Sequence, residues 1–260
     1  MRTLAVLPSR YAATRFPGKP LELIAGKPMI QWVWEAASRA TGVDHVVVAT
    51  DDTRIAKAVE GFKGHVILTD SALPSGTDRV AAALKALGEP FDIVLNIQGD
   101  EPAMHAETIA AVVKLMTEHP DLPMGTAACP FLSLDEVFNP NAVKVVTDDL
   151  GRALYFSRSP IPYLRNSKVF ESDFRPWAQP DQLKNFKRHL GIYAYRPETL
   201  QAFTLLPPHP LEQIEMLEQL RALGAGITIG VAETPFLSLG VDTPEDIPAV
   251  EKLLREQGLI

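Results

Sequence analysis

Short apolar runs alternate with longer amphipathic ones along the first hundred residues. Leu4–Leu7 is apolar and stops at Pro8. Residues 9–20 are polar, basic and broken by Pro17, Gly18 and Pro20, a loop composition. Met29, Ile30, Val33, Trp34 and Ala37 recur at helical spacing and predict a helix over 29–40. His45–Ala49 is a β-branched run, and Thr50-Asp51-Asp52 ends it and opens a second helix to about Glu60. Val66–Leu68 and Asp92–Ile97 read as strands, with a helix over Thr77–Leu87 between them. Such alternation predicts βαβ units and an α/β fold, Rossmann-like, with a mostly parallel sheet covered by helices on both faces. The segments 8–20, 69–79 and 98–102 each follow a predicted strand. Loops at strand carboxyl ends gather into one crevice, so these three are expected to meet.

The second half is less regular. Residues 143–147, 153–157 and 190–195 read as strands, and 159–187 is a long polar excursion holding four prolines. Excursions of that length inside a compact chain are usually functional or mobile. Residues 211–223 (LEQIEMLEQLRAL) predict a continuous helix between Pro210 and Gly224. Ile227–Val231 reads as a strand. Thr243–Gln257 reads as a last helix, with Thr243 as cap, Pro244 in the first turn, and Glu245 and Asp246 at its positive end. No internal repeat or low-complexity segment interrupts the pattern.

Composition narrows the function. With 46% hydrophobic residues, the chain has too much apolar content for a disordered protein. No apolar run approaches a membrane span of ~18 residues, and the opening MRTLAVLPSR is too short for a secretory signal. A single cysteine, Cys129, forms no internal disulfide and fits a reducing compartment and a core position. The net charge of −7 argues against non-specific nucleic-acid binding. It does not oppose a nucleotide held by a local cluster of bases.

Such a cluster exists. Arg10, Arg15 and Lys19 fall on one strand-end loop with no acid between them. Arginine forks onto phosphate oxygens and lysine acts as a point charge, so the loop reads as a polyphosphate cradle or as a solvated basic loop. It is not a Walker loop, whose G-x-x-x-x-G-K-[ST] pattern is absent. Asp100, in the Asn96–Pro102 segment, stands at a strand end as a candidate Mg²⁺ ligand, and a plain Gly-Asp turn explains it equally. Asp242, in Gly240-Val241-Asp242-Thr243, is either a second ligand or a helix cap. If Asp100 and Asp242 share one crevice, they form a divalent-cation clamp beside the basic loop. Ser75, Gly76, Thr77 and Asp78 open a helix whose free N–H groups suit an anion or a base edge, or form an ordinary cap. Glu215, Glu218 and Gln219 fall at i, i+3 and i+4, one face of the expected helix, able to read sugar hydroxyls or simply to face solvent. Arg158 and His189 flank the long excursion; an isolated histidine is more often structural, and an isolated arginine a surface charge.

Taken in order, LPSRYAATRFPGKPL, LPSGTDR, NIQGDEP, FNPNAVKVV, ALYFSRSPIP, RHLGIYAYR, PLEQIEMLEQLRAL and GVDTPEDI resemble the 3-deoxy-manno-octulosonate cytidylyltransferases (CMP-Kdo synthetases) over residues 4–247. Ala13 and Asp78 depart from that pattern, where Ser and Glu are common, and 163–187 matches poorly. The resemblance implies a single α/β nucleotidyltransferase domain over 1–260, of the nucleotide-diphospho-sugar transferase type. It also implies a smaller sugar-binding and dimerisation subdomain roughly within 130–210. It implies transfer of CMP from CTP to Kdo with Mg²⁺, giving CMP-Kdo and pyrophosphate, by a cytoplasmic homodimer in bacterial lipopolysaccharide synthesis. On the matching motifs, Arg10, Arg15 and Lys19 hold the triphosphate and, with Asp100, serve catalysis. Pro8 and Ser75–Asp78 hold cytosine and ribose. Asp100 and Asp242 hold Mg²⁺. Gln98, Arg158, His189, Tyr193, Glu215, Glu218 and Gln219 line the sugar side. The alternatives are a cytidylyltransferase for an 8-amino Kdo analogue or for another sugar acid such as sialic acid, a non-catalytic nucleotide sensor, and a nucleotide-sugar glycosyltransferase. The D-x-D motif of the last is not found at a strand end.

Overall fold

The computed structural model describes residues 1–12, 16–165 and 180–260. Arg15 and residues 166–179 of the long excursion lie outside the described residues. The first half follows the expected alternation: β1 (Thr3–Ser9), a small hairpin of β2 (Leu23–Ile24) and β3 (Lys27–Pro28), α1 (Met29–Arg39), β4 (His45–Thr50), α2 (Thr53–Gly61), β5 (His65–Leu68), α3 (Gly76–Leu87) and β6 (Ile93–Ile97). Next come α4 (Ala106–Glu118), β7 (Met124–Pro130), α5 (Leu134–Phe138), β8 (Lys144–Thr147), β9 (Ala153–Ser157) and β10 (Lys187–Tyr195). The chain ends with α6 (Pro197–Leu205), α7 (Pro210–Glu215), α8 (Gln219–Gly224), β11 (Ile229–Glu233) and α9 (Ile247–Glu256).

The sheet runs β11-β7-β10-β6-β1-β4-β5. β1 pairs in parallel with both β4 and β6, and β4 in parallel with β5. β10 is inserted antiparallel between β6 and β7, while β11 runs parallel to β7. The β8–β9 hairpin joins this sheet along β10. The fold is therefore a mostly parallel mixed sheet flanked by helices.

The period of two along the central strands assigns each side chain to one face. Ala5, Leu7, Val48, Leu95 and Ile97 pack with Ile30 and Val33 of α1 and with Ile109 and Val112 of α4. Leu4, Val6, Val47 and Val94 pack with Val80 and Ala83 of α3 and with Leu200 and Phe203 of α6. Full burial of each such aliphatic side chain contributes ~1.5–3 kcal/mol before entropy is counted. Cys129 is buried in the first of these clusters, as expected. A small separate core of Phe131, Leu134, Val137, Ala142 and Phe186 lies within the region assigned to a subdomain.

Two expectations are corrected. Residues 211–223 are not one helix: α7 ends at Glu215, Met216 turns left-handed at φ 52°, and α8 starts at Gln219. The cause is tertiary. The Arg158 guanidinium donates to the carbonyls of Glu215 and Met216, and the Glu215 carboxylate accepts from Ser157 Oγ and Arg158 N. These bonds take up the backbone groups that a continuous helix would pair internally. The last helix is also split, into a 3₁₀ turn at Pro244–Asp246 and then α9.

Candidate active site

The carboxyl ends of β1 and β6 and the start of α3 meet, as the topology requires. Gly99 makes the approach close: a Cβ there would lie 2.6 Å from Ser9 Oγ and 3.0 Å from the Pro8 carbonyl oxygen. The result is a cavity of about 230 Å³ lined by Pro8, Arg10, Lys19, Gly76, Gln98 and Asp100. A larger cavity of about 870 Å³ adjoins it and shares Gln98 and Asp100. Its walls carry Arg158, His189, Tyr193, Glu218, Gln219 and Asp242.

Lys19 stands at the junction. Its Nζ is 2.6 Å from Asp100 Oδ2, 2.9 Å from the Val241 carbonyl and 4.0 Å from Asp242 Oδ1. The two acids, 142 positions apart in the sequence, therefore converge on one ammonium. Asp242 does not cap the last helix. That task falls to Thr243 and Asp246, whose Oδ2 accepts from the backbone N–H groups of Asp242 and Thr243.

Two hard carboxylates beside bases suit Mg²⁺, which takes one or two protein carboxylates and fills its remaining positions with water and phosphate. Among the described residues there is no group of three or more His, Cys, Asp or Glu able to hold a metal unaided. The donor set thus fits a cation delivered with a phosphate substrate better than a permanently caged one.

The basic loop is tied down from several sides. Arg10 donates to the Leu73 carbonyl, joining β1 to the loop before α3. Arg54 stacks over the Tyr11 ring while forking onto Asp52. Arg79, which the sequence reading passed over, is fully buried and donates to Thr69 Oγ1 and Asp51. It borders the smaller cavity, and its Nε has no partner among the described residues. Its signal was available, since Arg79 falls on the same helical face as Ala83 inside the apolar stripe of α3.

Ser75 and Asp78 form a reciprocal capping box, so the ordinary cap is real. It still presents Gly76 to the smaller cavity, with Pro8 Cγ 3.5 Å from where a Cβ would stand. Thr77 Oγ1 donates to Glu218 Oε2 at 2.5 Å, linking α3 to the opposite wall.

On that wall the residues divide into two groups. Glu218 and Gln219 face the large cavity, and Gln219 Nε2 is a buried donor without a partner among the described residues. Glu215 is not with them; it binds Ser157 and Arg158 from behind. His189 is buried, and burial alone pushes its imidazole down to about 3, so it is neutral at physiological pH. Thr126 Oγ1 donates to the Ile192 carbonyl at 2.7 Å and therefore accepts from His189 Nε2 at 2.9 Å. That fixes the Nε2–H tautomer and leaves Nδ1 as an acceptor. Tyr193 is held as the phenol by burial, which raises its pKa.

Glu101 was also missed as a candidate. Its Oε1 occupies the place a Cβ on Gly191 would take, 2.5 Å away, and Ser238 Oγ donates to Oε2 at 2.6 Å. It thereby ties the Asp100 turn to β10 and to the segment that carries Asp242. Burial raises its pKa above the usual carboxylate range.

Comparison with known proteins agrees with this architecture. Residues 4–229 match the family described as cytidylyltransferase. The chain is 49% identical to the 3-deoxy-manno-octulosonate cytidylyltransferase of Syntrophotalea carbinolica, over 98% of this chain and 99% of that one. It is 47% identical to the enzyme of the same name from Syntrophobacter fumaroxidans, over 100% of this chain and 99% of its relative. A solved structure of CMP:2-keto-3-deoxy-manno-octonic acid synthetase complexed with CTP superimposes with a TM-score of 0.87 at 40% identity, covering 99% of this chain and 100% of that one. With the strand-end crevice, the converging acids and full-length identity all in place, the chain belongs to the 3-deoxy-manno-octulosonate cytidylyltransferase family.

Proposed function

We propose that this protein transfers CMP from CTP to 3-deoxy-D-manno-octulosonate, releasing pyrophosphate, with Mg²⁺ as cofactor. The observation that carries the reading is the meeting of Lys19, Asp100 and Asp242 where the two cavities join. The smaller cavity takes the nucleotide: Pro8 and the Ser75–Asp78 turn receive cytosine and ribose, and Arg10 and Lys19 receive the phosphates. Arg15 belongs to the same role by motif and lies outside the described residues. The larger cavity takes the sugar, with Gln98, His189, Tyr193, Glu218 and Gln219 as hydrogen-bonding groups around it.

The sugar's anomeric 2-hydroxyl oxygen attacks the α-phosphorus, the α–β bridging bond breaks, and its electrons leave with pyrophosphate. The hydroxyl proton passes to water, since neutral His189 is too weak a base to take it at physiological pH. The protein's own work is positioning and charge neutralisation. Lys19 offsets negative charge building on the leaving oxygens. Asp100 and Asp242 would hold Mg²⁺, which when bound polarises phosphate and lowers the pKa of a nearby hydroxyl.

The protein works as a cytoplasmic homodimer supplying lipopolysaccharide synthesis, associating through the region within 130–210. Among the described residues no helix is long and apolar enough to cross a membrane. Leu132, Leu150 and Leu154 are exposed apolar groups in that region and supply surface for a second copy. The test is pyrophosphate release from CTP with Mg²⁺ against Kdo, its 8-amino analogue and sialic acid. Turnover with Kdo at the highest kcat/KM is expected; preference for either other acid overturns the substrate assignment.

A further inference from the structure

A sugar acid brings a carboxylate into a cavity that is already rich in them. Asp100, Glu101, Glu218, Asp242 and Asp246 all border the larger cavity. Arg158 and Arg188 are the guanidinium groups among its described walls. They are not equivalent. Arg158 spends Nε on the Glu215 carbonyl at 2.7 Å, Nη1 on the Pro140 carbonyl at 3.0 Å and Nη2 on the Met216 carbonyl at 3.3 Å. It is a brace for the α7–α8 kink.

Arg188 has no such employment among the described residues. It pairs with Glu136 at 3.8 Å, beyond hydrogen-bond distance, and its side chain is only 16% exposed. No hydrogen bond from its guanidinium reaches any described residue. Its backbone is fixed on both sides, in register with Cys129 on β7 and Lys144 on β8. A mostly desolvated guanidinium that pairs loosely with Glu136 and makes no hydrogen bond to any described residue, on a rigid strand, is arranged to receive a planar anion in two parallel bonds.

We propose that Arg188, not Arg158, binds the carboxylate of the acidic sugar and selects acids over neutral sugars. The assignment rests on the reading of the larger cavity as a sugar-acid site. Charge-assisted hydrogen bonds of this kind contribute roughly 10- to 150-fold in binding.

The test compares Kdo with its primary amide on wild type, Arg188→Gln, Arg188→Lys and Arg158→Gln. Turnover with CTP and calorimetric binding of the two sugars are both measured. Arg188→Gln is expected to raise the KM and Kd for Kdo by roughly 10- to 150-fold, to leave the KM for CTP within about twofold of wild type, and to bring the acid-to-amide preference towards one. Arg188→Lys should recover part of that preference, because it keeps the charge and loses the fork; it also serves if the Gln variant does not fold. Arg158→Gln should impair turnover while keeping the preference. An unchanged acid-to-amide ratio in both Arg188 variants overturns the proposal. Kdo bound through Arg188 with no pyrophosphate released would refute the reaction and leave this assignment standing.

Discussion

Lys19 Nζ lies 2.6 Å from Asp100 Oδ2, so the loop after β1 and the turn after β6 are joined by one ion pair at the mouth of both cavities. Lys19 is held for this contact by the Val241 carbonyl, which also brings in the segment carrying Asp242. Three distant stretches of sequence share one charge centre.

Removing the ammonium should therefore cost turnover more than nucleotide affinity. Lys19→Ala is expected to lower kcat by on the order of 10²–10³, as for loss of a preorganised charge. Steady-state pyrophosphate release reads this directly, and near wild-type kcat would take Lys19 out of the reaction.

Asp100→Asn keeps the shape and removes the charge. It should lose most activity at ordinary Mg²⁺ and regain part of it as Mg²⁺ is raised, because a neutral amide oxygen is a poorer ligand for a hard cation. A titration of activity against Mg²⁺ that overlays wild type excludes the ligand role.

His189 makes stability sensitive to acid. Its imidazole sits at about 3 when folded, against an ordinary 6.5. Between those values the unfolded chain binds a proton that the folded chain refuses, so stability falls as pH drops from about 6.5 towards 3. His189→Gln can still donate to Thr126 and cannot charge. Its acid-unfolding midpoint, followed by circular dichroism, should lie lower than wild type by roughly half a pH unit. Coincident midpoints would mean that another group drives acid unfolding.

Lys144 acts at the opposite end of the scale. Fully buried, it donates to the carbonyls of Asn139 at 3.0 Å, Ala142 at 2.8 Å and Arg158 at 2.6 Å, and burial pushes its amine down to about 8. From about 8 to 10.5 the unfolded chain holds a proton that the folded chain has released. The contribution of Lys144 to stability therefore rises with pH across that window. Lys144→Met should cost about 1–3 kcal/mol at pH 7.5 by leaving the carbonyls unsatisfied. It should also lack the alkaline rise. Urea melts of both proteins at pH 7.5 and 9.5 measure this, and a difference independent of pH would contradict it.

Association through the β8–β9 hairpin is testable on the surface. Leu150 and Leu154 are 75% and 62% exposed. Replacing both by Asp should yield monomers in light scattering, with Tm of the isolated chain little changed. A wild type that is monomeric at every concentration measured would remove the dimer from the reading.

The first half of the fold was legible because its strands are short apolar runs, β-branched in β4, β5 and β6, and its helices have clean periods. Crevice placement followed from topology alone. The helix α4 carries the same signal, since Ile109, Val112, Val113 and Met116 are spaced for one face. The strand β7 was harder: Met124–Pro130 is mostly small residues that pack between neighbours and carry little strand preference of their own. The kink at Met216 had no local signal, because good helix formers surround it and the forces that break it come from Ser157 and Arg158. Arg188 was hidden for a related reason. Its value lies in making no hydrogen bond to any described residue, and that appears only in three dimensions.

The left-handed turn at Met216 has a consequence for anyone who would engineer this protein. Substitutions that strengthen a continuous helix across 210–224 would look favourable by every local criterion. They would also swing Glu218 and Gln219 away from the cavity and strip Arg158 of its acceptors. If the larger cavity takes the sugar as proposed, robustness and recognition are rivals at this one joint, and a variant selected for heat resistance alone would be expected to lose its grip on the sugar first.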